Sequence, residues 1–290
     1  MKTILVLTDF SRLAENAAVY AVKFAQEIKA NLVVFNAYGA SETNNISAEG
    51  IVWSTDFAEL QKRSEEDLKA LKSKLEIVLA HETSSEFQPK ITTYCEFGVL
   101  ADLVEETILK KSIGLIVMGG QHINNFSRLF LGSDTHDLLD KVICPVLIIP
   151  EGASFHRLEK ITYATDLKST DKPLISSIAA LGRIFSAGIT VTHIEPNPQP
   201  EHQAKIQNLA DEIAQHVGYP QLNFNLVNSR NITQTLCAIS DADQTDVLVL
   251  MHKKYHFPES IFHTSISKTI AKSCPIPLLV YPFTYHYSEN

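Results

Sequence analysis

GLIVMGGQHINNFSRLFLGSDTHDLLDKVICPVLIIP, from Gly114 to Pro150, aligns without a gap on DVLVLMHKKYHFPESIFHTSISKTIAKSCPIPLLVYP, from Asp246 to Pro282, at a constant offset of 132. The front of the chain repeats as well: KTILVLTDFS at Lys2 to Ser11 matches KITYATDLKS at Lys160 to Ser169, now 157–158 residues on. The two offsets differ by an insertion of roughly 25 residues in the first copy, and a period near 140 marks a domain duplication, too long for a solenoid repeat. The expected domains are residues 1–150 and 151–290, in keeping with the ordinary size of one domain.

Each copy reads as strands alternating with helices. Ile4–Leu7 is a short apolar run, and Leu13, Ala17, Ala21, Ala25 and Ile28 follow at helical spacing. Leu32–Phe35 is a second strand, and residues 46–56, with the chain's single Trp53, a loop that holds most of the insertion. Phe57 to Leu79 has no Gly or Pro and carries Leu68, Leu71, Leu75 and Val78 on one helical stripe. Ile91–Cys95, Leu115–Met118 and Val146–Ile149 complete five strands, with helices over Leu100–Leu109 and Ser133–Leu139 between them. Strands apolar on both faces that alternate with helices predict a parallel sheet covered on both sides, joined by right-handed crossovers. Ligands of such sheets bind beyond the carboxyl ends of the strands, where the strand order reverses. That edge should be lined by Thr8, Asp9 and Phe10 after the first strand and by Gly119, Gly120 and Gln121 after the fourth.

With 45% hydrophobic and 20% charged residues, each half has the means for an ordinary core. A net charge of −8 with no basic block argues against nucleic-acid partners and anionic membranes, because neutralising phosphates takes clustered Lys and Arg. No apolar stretch reaches the ~20 residues that span a bilayer, so a soluble cytoplasmic protein is expected. Cys95, Cys144, Cys237 and Cys274 form no C-x-x-C pair and read as reduced, buried thiols.

The opening ILVLTDFS, the MGGQH loop, the LFLGSDT segment and the closing CPVLIIP together resemble the universal stress protein family, and the second half resembles a diverged member fused in tandem. The likeness covers nearly the whole chain. It implies an α/β protein of two tandem Rossmann-like domains, of the adenine nucleotide alpha hydrolase-like type, each a five-stranded parallel sheet with helices on both faces. It also implies a stress-response regulator that binds ATP, with Mg, or another adenine nucleotide in the first domain. Nucleotide-binding members share Gly, two residues, Gly, nine residues, Gly and then Ser or Thr. Here Gly119, Gly132 and Ser133 stand in place, while His122 replaces the second glycine. Glycines let backbone N–H groups approach phosphate oxygens and take up positive φ, so His122 either reshapes the loop or turns its ring toward the ligand.

By the same resemblance Asp9 takes the adenine or ribose side and Ala37 and Met118 flank the base. Gly119, Gly132 and Ser133 hold the phosphates, with His122 beside them; the N-terminus of the helix from Ser133 favours an anion. Arg128 lies inside the loop. Each has a plainer reading: Asp9 as a helix cap, Gly132 and Ser133 as a loop end and cap, His122 as a solvated loop residue.

In the second copy Asp166 keeps the acid and His193-Ile194 stands where Asn36-Ala37 stands, but Met251, Lys254 and Thr264 take the three motif positions, so no tight nucleotide site is expected there. His252, His256 and His263 with Lys253 and Lys254 read as a solvated loop; metal ligation wants fixed spacing and a carboxylate or Cys partner. No G-x-S-x-G, G-x-x-x-x-G-K-[ST] or other catalytic constellation is present, so no residue is assigned to catalysis. The competing reading is a nucleotide-free interaction module with a vestigial pocket. Finally, VLIIP and LLVYP should lie at sheet edges, which apolar strands rarely leave open. Pairing them with each other would make an internal pseudo-two-fold dimer, and the Ser41–Phe57 segment is a candidate contact for homodimerisation.

Overall fold

The computed structural model describes residues 3–39, 57–81, 87–120, 133–167, 171–252 and 276–282. The chain divides into two compact units, Met1–Phe155 and His156–Asn290. The division falls after Phe155 because that ring meets Tyr20 and Phe24 edge-on, at 5.2 and 5.6 Å between centroids, and so belongs to the first unit's core.

In the first unit the order along the chain is β1 (Thr3–Leu7), α1 (Arg12–Ile28), β2 (Asn31–Gly39), α2 (Phe57–His81), β3 (Ile91–Gly98), α3 (Leu100–Lys111), β4 (Leu115–Gly120), α4 (Ser133–Lys141) and β5 (Val146–Pro150). The strands lie in the order β3-β2-β1-β4-β5, and every pair among them is parallel. The order reverses between β1 and β4, where Ile4 pairs with Leu115 and Val6 with Val117. Ile4 to Leu7 and Leu115 to Met118 are buried throughout, as strands covered on both faces must be.

Two expectations are corrected in detail. β2 and β3 run on to Gly39 and Gly98, because Asn36 to Gly39 stay in register with Cys95 to Gly98. Both glycines end their strands at positive φ, 88° and 143°, which other residues rarely adopt. On α2 the buried stripe is Ser64, Leu68, Leu71, Leu75 and Leu79; Val78 lies beside it.

The second unit repeats the plan: β6 (Lys160–Thr165), α5 (Asp171–Phe185), β7 (Gly188–Glu195), α6 (Pro200–His216), β8 (Leu222–Asn228), α7 (Ile232–Ala242), β9 (Val247–His252) and β10 (Leu278–Pro282). Its strand order is β8-β7-β6-β9-β10, again parallel throughout. Ile161 pairs with Val247 across the reversal as Ile4 pairs with Leu115 in the first unit.

Of the cysteines, Cys144 is buried and free and Cys95 is half-buried and free. Cys237 is disulfide-bonded, which overturns the expectation of reduced thiols throughout. Its partner lies outside the described residues.

Candidate functional site at the carboxyl edge of the first sheet

The turn from β1 into α1 is built by its own side chains. Thr8 Oγ1 accepts from the Phe10 N–H at 3.0 Å, and Asp9 Oδ1 accepts from the Ser11 N–H at 3.0 Å. Phe10 sits at φ 62°, a left-handed conformation uncommon for a residue with a side chain. The N-cap of α1 is Ser11, whose hydroxyl accepts from the Ala14 N–H at 3.2 Å. The helix-cap reading of Asp9 is therefore overturned. Asp9 shapes the turn before the cap, is half-buried, and keeps Oδ2 without a hydrogen bond among the described residues.

The turn is tied to its neighbours through buried atoms. The Thr8 N–H donates to the Phe35 carbonyl at 2.9 Å. The Thr8 carbonyl accepts from Asn36 Nδ2 at 2.8 Å, and Asn36 Oδ1 accepts from the Ser64 hydroxyl at 2.8 Å. A carbonyl oxygen can only accept, so the Asn36 amide nitrogen faces Thr8 and its oxygen faces Ser64. β1, β2 and α2 meet at this one side chain.

Ala37 follows on β2, half-buried and paired with Glu96. Met118 is fully buried in β4 and paired with Ile148, so its side chain belongs to the core and only its backbone approaches the edge. Gly119 is required by close approach. A Cβ there would lie 2.9 Å from the Leu13 carbonyl oxygen and 3.0 Å from the Leu13 carbonyl carbon, so β4 and the first turn of α1 touch backbone to backbone. Its φ is not positive, which corrects the conformational half of the argument for that glycine. At Gly120 a Cβ would stand 2.3 Å from Ile148 Cγ2. Ser133 opens α4. His122, Arg128 and Gly132 lie outside the described residues, as does the Ser41–Asp56 part of the inserted segment, including Trp53. The structure thus brings Asp9, Ala37, Met118 and Gly119 to one edge.

Sequence reasoning missed the Thr8-Asn36-Ser64 connection, whose signals were a polar Asn36 after the apolar run of β2 and a polar Ser64 in the leucine stripe of α2. It also missed a cluster in the second unit. His193 Nδ1 lies 2.8 Å from the Thr165 carbonyl, the counterpart of the Asn36–Thr8 bond. Its Nε2 lies 3.8 Å from Glu195 Oε2, and His202 Nδ1 is 2.5 Å from that same oxygen. His252 ends β9 and is buried, which corrects its reading as a solvated loop residue; Lys253, Lys254, His256, His263 and Thr264 lie outside the described residues. Met251 stands on β9 opposite Tyr281, at the place that Gly119 holds on β4. Among the described residues no three His, Cys, Asp or Glu side chains are arranged to hold a metal ion, and no helix is long and apolar enough to cross a membrane.

Comparison with known proteins agrees with this architecture. A universal stress protein of Methanocaldococcus jannaschii is 30% identical over 148 residues, 51% of this chain and 81% of that protein. One from Bacillus subtilis is 28% identical over 148 residues, 50% of this chain and 96% of that protein. A solved universal stress protein from Archaeoglobus fulgidus shares the fold with a TM-score of 0.69 at 12% identity, across 97% of this chain and 98% of that one. The profile of the universal stress protein family matches residues 1–150, and this chain belongs to that family.

Proposed function

We propose that the protein is a cytoplasmic stress-response regulator whose first unit binds an adenine nucleotide at the carboxyl edge between β1 and β4. One observation carries the reading. At the point where the strand order reverses, the described residues present a preformed turn with a carboxylate oxygen of Asp9 left over, beside the glycine end of β4, where Gly119 packs directly on the first turn of α1. In this reading Asp9 accepts from the ribose or adenine, and the backbones of Ala37 and Met118 flank the base. Gly119, His122, Gly132 and Ser133 meet the phosphates. Magnesium would be held through the phosphates, as that ion commonly is. The chain's own part is to position, with no residue assigned to a bond-breaking step.

Isothermal titration of the full chain with Mg·ATP, after stripping any co-purified nucleotide, tests this. One site per chain, lost in Asp9→Ala and Gly132→Val, is the expected result; no heat from the wild-type chain refutes it. The second reading, a nucleotide-free interaction module, is favoured by the aromatic group at the ends of β2 and β3. There Phe57 and Phe97 remain 52% and 42% exposed while packing edge-on at 4.6 Å.

A further inference from the structure

We infer that Asn36 and Ser64 are positioning residues that set the β1–α1 turn, and through it the affinity of the edge for its nucleotide. The inference rests on the nucleotide reading above and extends it to side chains that touch no ligand.

Thr8, Asn36 and Ser64 are 5, 7 and 4% exposed, so water competes little for their bonds. Asn36 uses both ends of its amide, holding the Thr8 carbonyl at 2.8 Å and the Ser64 hydroxyl at 2.8 Å. The Thr8 carbonyl comes directly after β1 and immediately before Asp9. Fixing it fixes the peptide plane from which the turn departs. The turn needs fixing, since Phe10 stands at φ 62°, a conformation that persists only when its surroundings over-determine it. Ser64 is a small polar residue in an otherwise leucine stripe of α2, an interruption that the core gains nothing from except this bond.

The duplication repeats the device with different chemistry. In the second unit Thr165 Oγ1 accepts from the Leu167 N–H at 2.8 Å, and Leu167 stands at φ 57°. The residue across the sheet that reaches the Thr165 carbonyl is His193, whose Nδ1 donates at 2.8 Å. A ring nitrogen therefore does there what the Asn36 amide does in the first unit. That equivalence supplies a conservative variant designed by the chain itself, Asn36→His.

The experiment has two readouts on the same proteins: wild type, Asn36→Ala, Asn36→His and Ser64→Ala. The first is native-state hydrogen exchange of the Phe10, Ser11 and Ala14 amides, which needs no nucleotide. The second is Mg·ATP affinity, with thermal melts recorded beside it. Asn36→Ala is expected to speed exchange of the turn amides and weaken Mg·ATP by about tenfold, the factor that corresponds to one net hydrogen bond. Asn36→His should recover most of both, and Ser64→Ala should fall between. Unchanged exchange in Asn36→Ala overturns the inference. So does altered exchange with undiminished Mg·ATP affinity, or an affinity loss in Asn36→His as large as in Asn36→Ala, since a packing defect alone would not be repaired by a ring. A wild-type chain that binds no Mg·ATP refutes the nucleotide reading and the affinity claim with it, while the exchange data still decide whether Asn36 and Ser64 hold the turn.

Discussion

Gly119→Ala should destabilise the first unit although it adds a single methyl to a strand. The Cβ would stand 2.9 Å from the Leu13 carbonyl oxygen and 3.0 Å from its carbonyl carbon and from Cγ. Two of the three obstacles are backbone, held by the hydrogen bonds of a 17-residue helix, so no rotamer change relieves them. Overpacking of this kind costs about 1–3 kcal/mol. Replacing Gly by Ala returns about 0.4–1 kcal/mol by restricting the unfolded chain. The balance is a net loss of roughly 1–2 kcal/mol, which for a unit of this size moves the melting temperature down by about 2–8 °C. Differential scanning calorimetry of the full chain, resolving the transition of each unit, reads it. A transition that is unmoved or raised would refute the claim that β4 and α1 meet backbone to backbone, and would return Gly119 to a role in ligand contact alone.

Four further outcomes are expected. Ser11→Ala removes the cap that accepts from the Ala14 N–H and should cost about 0.5–2 kcal/mol in urea unfolding followed by circular dichroism, the usual range for a lost N-cap. Burial pushes the Cys144 thiol up to about 12, so at pH 8 a thiol reagent should label Cys95 and leave Cys144 untouched until the chain unfolds. Because that value is raised from 9.0 in the open chain, the stability Cys144 contributes is full below pH 9 and fades as pH climbs toward 12; a Cys144→Ala variant should lose that part of the alkaline decline. Tyr94 donates to Glu96 Oε2 at 2.5 Å, and this bond, with burial, raises its phenol to about 12. Titrating phenolate absorbance in wild type and Glu96→Gln should show one tyrosine moving to lower pH in the variant.

How far the molecule can be read from its residues differs between frame and site. The gapless internal match of Gly114–Pro150 to Asp246–Pro282 already carries two units, and the apolar runs with helical stripes between them already carry parallel five-stranded sheets. Periodicity of burial is a local property, so it survives in one dimension. The carboxyl edge as the place for Asp9 and Gly119 follows from the same logic. Reasons for individual residues were harder. Asp9 could be read as a helix cap as readily as a ligand, yet Ser11 caps and Asp9 bends the turn. Gly119 looked like a backbone freed for phosphate, yet a helix carbonyl presses on it. Strand ends were set too early at Phe35 and Cys95 because hydrogen bonding between β2 and β3, which the local pattern does not contain, carries both to their glycines.

From the sequence alone came the duplication, the alternation of strand and helix, the edge on which a ligand would sit, and the loss of the motif glycines in the second copy. These follow from composition and spacing along one chain. Tertiary structure decided that Asn36 ties β1 to α2 through Thr8 and Ser64, that His193 repeats that tie on Thr165, that Glu195 gathers two imidazoles, and that Cys237 is oxidised. The ties made by Asn36 and His193 depend on which atoms distant in sequence come within about 3 Å, the range over which hydrogen bonds form and which only the packed chain sets.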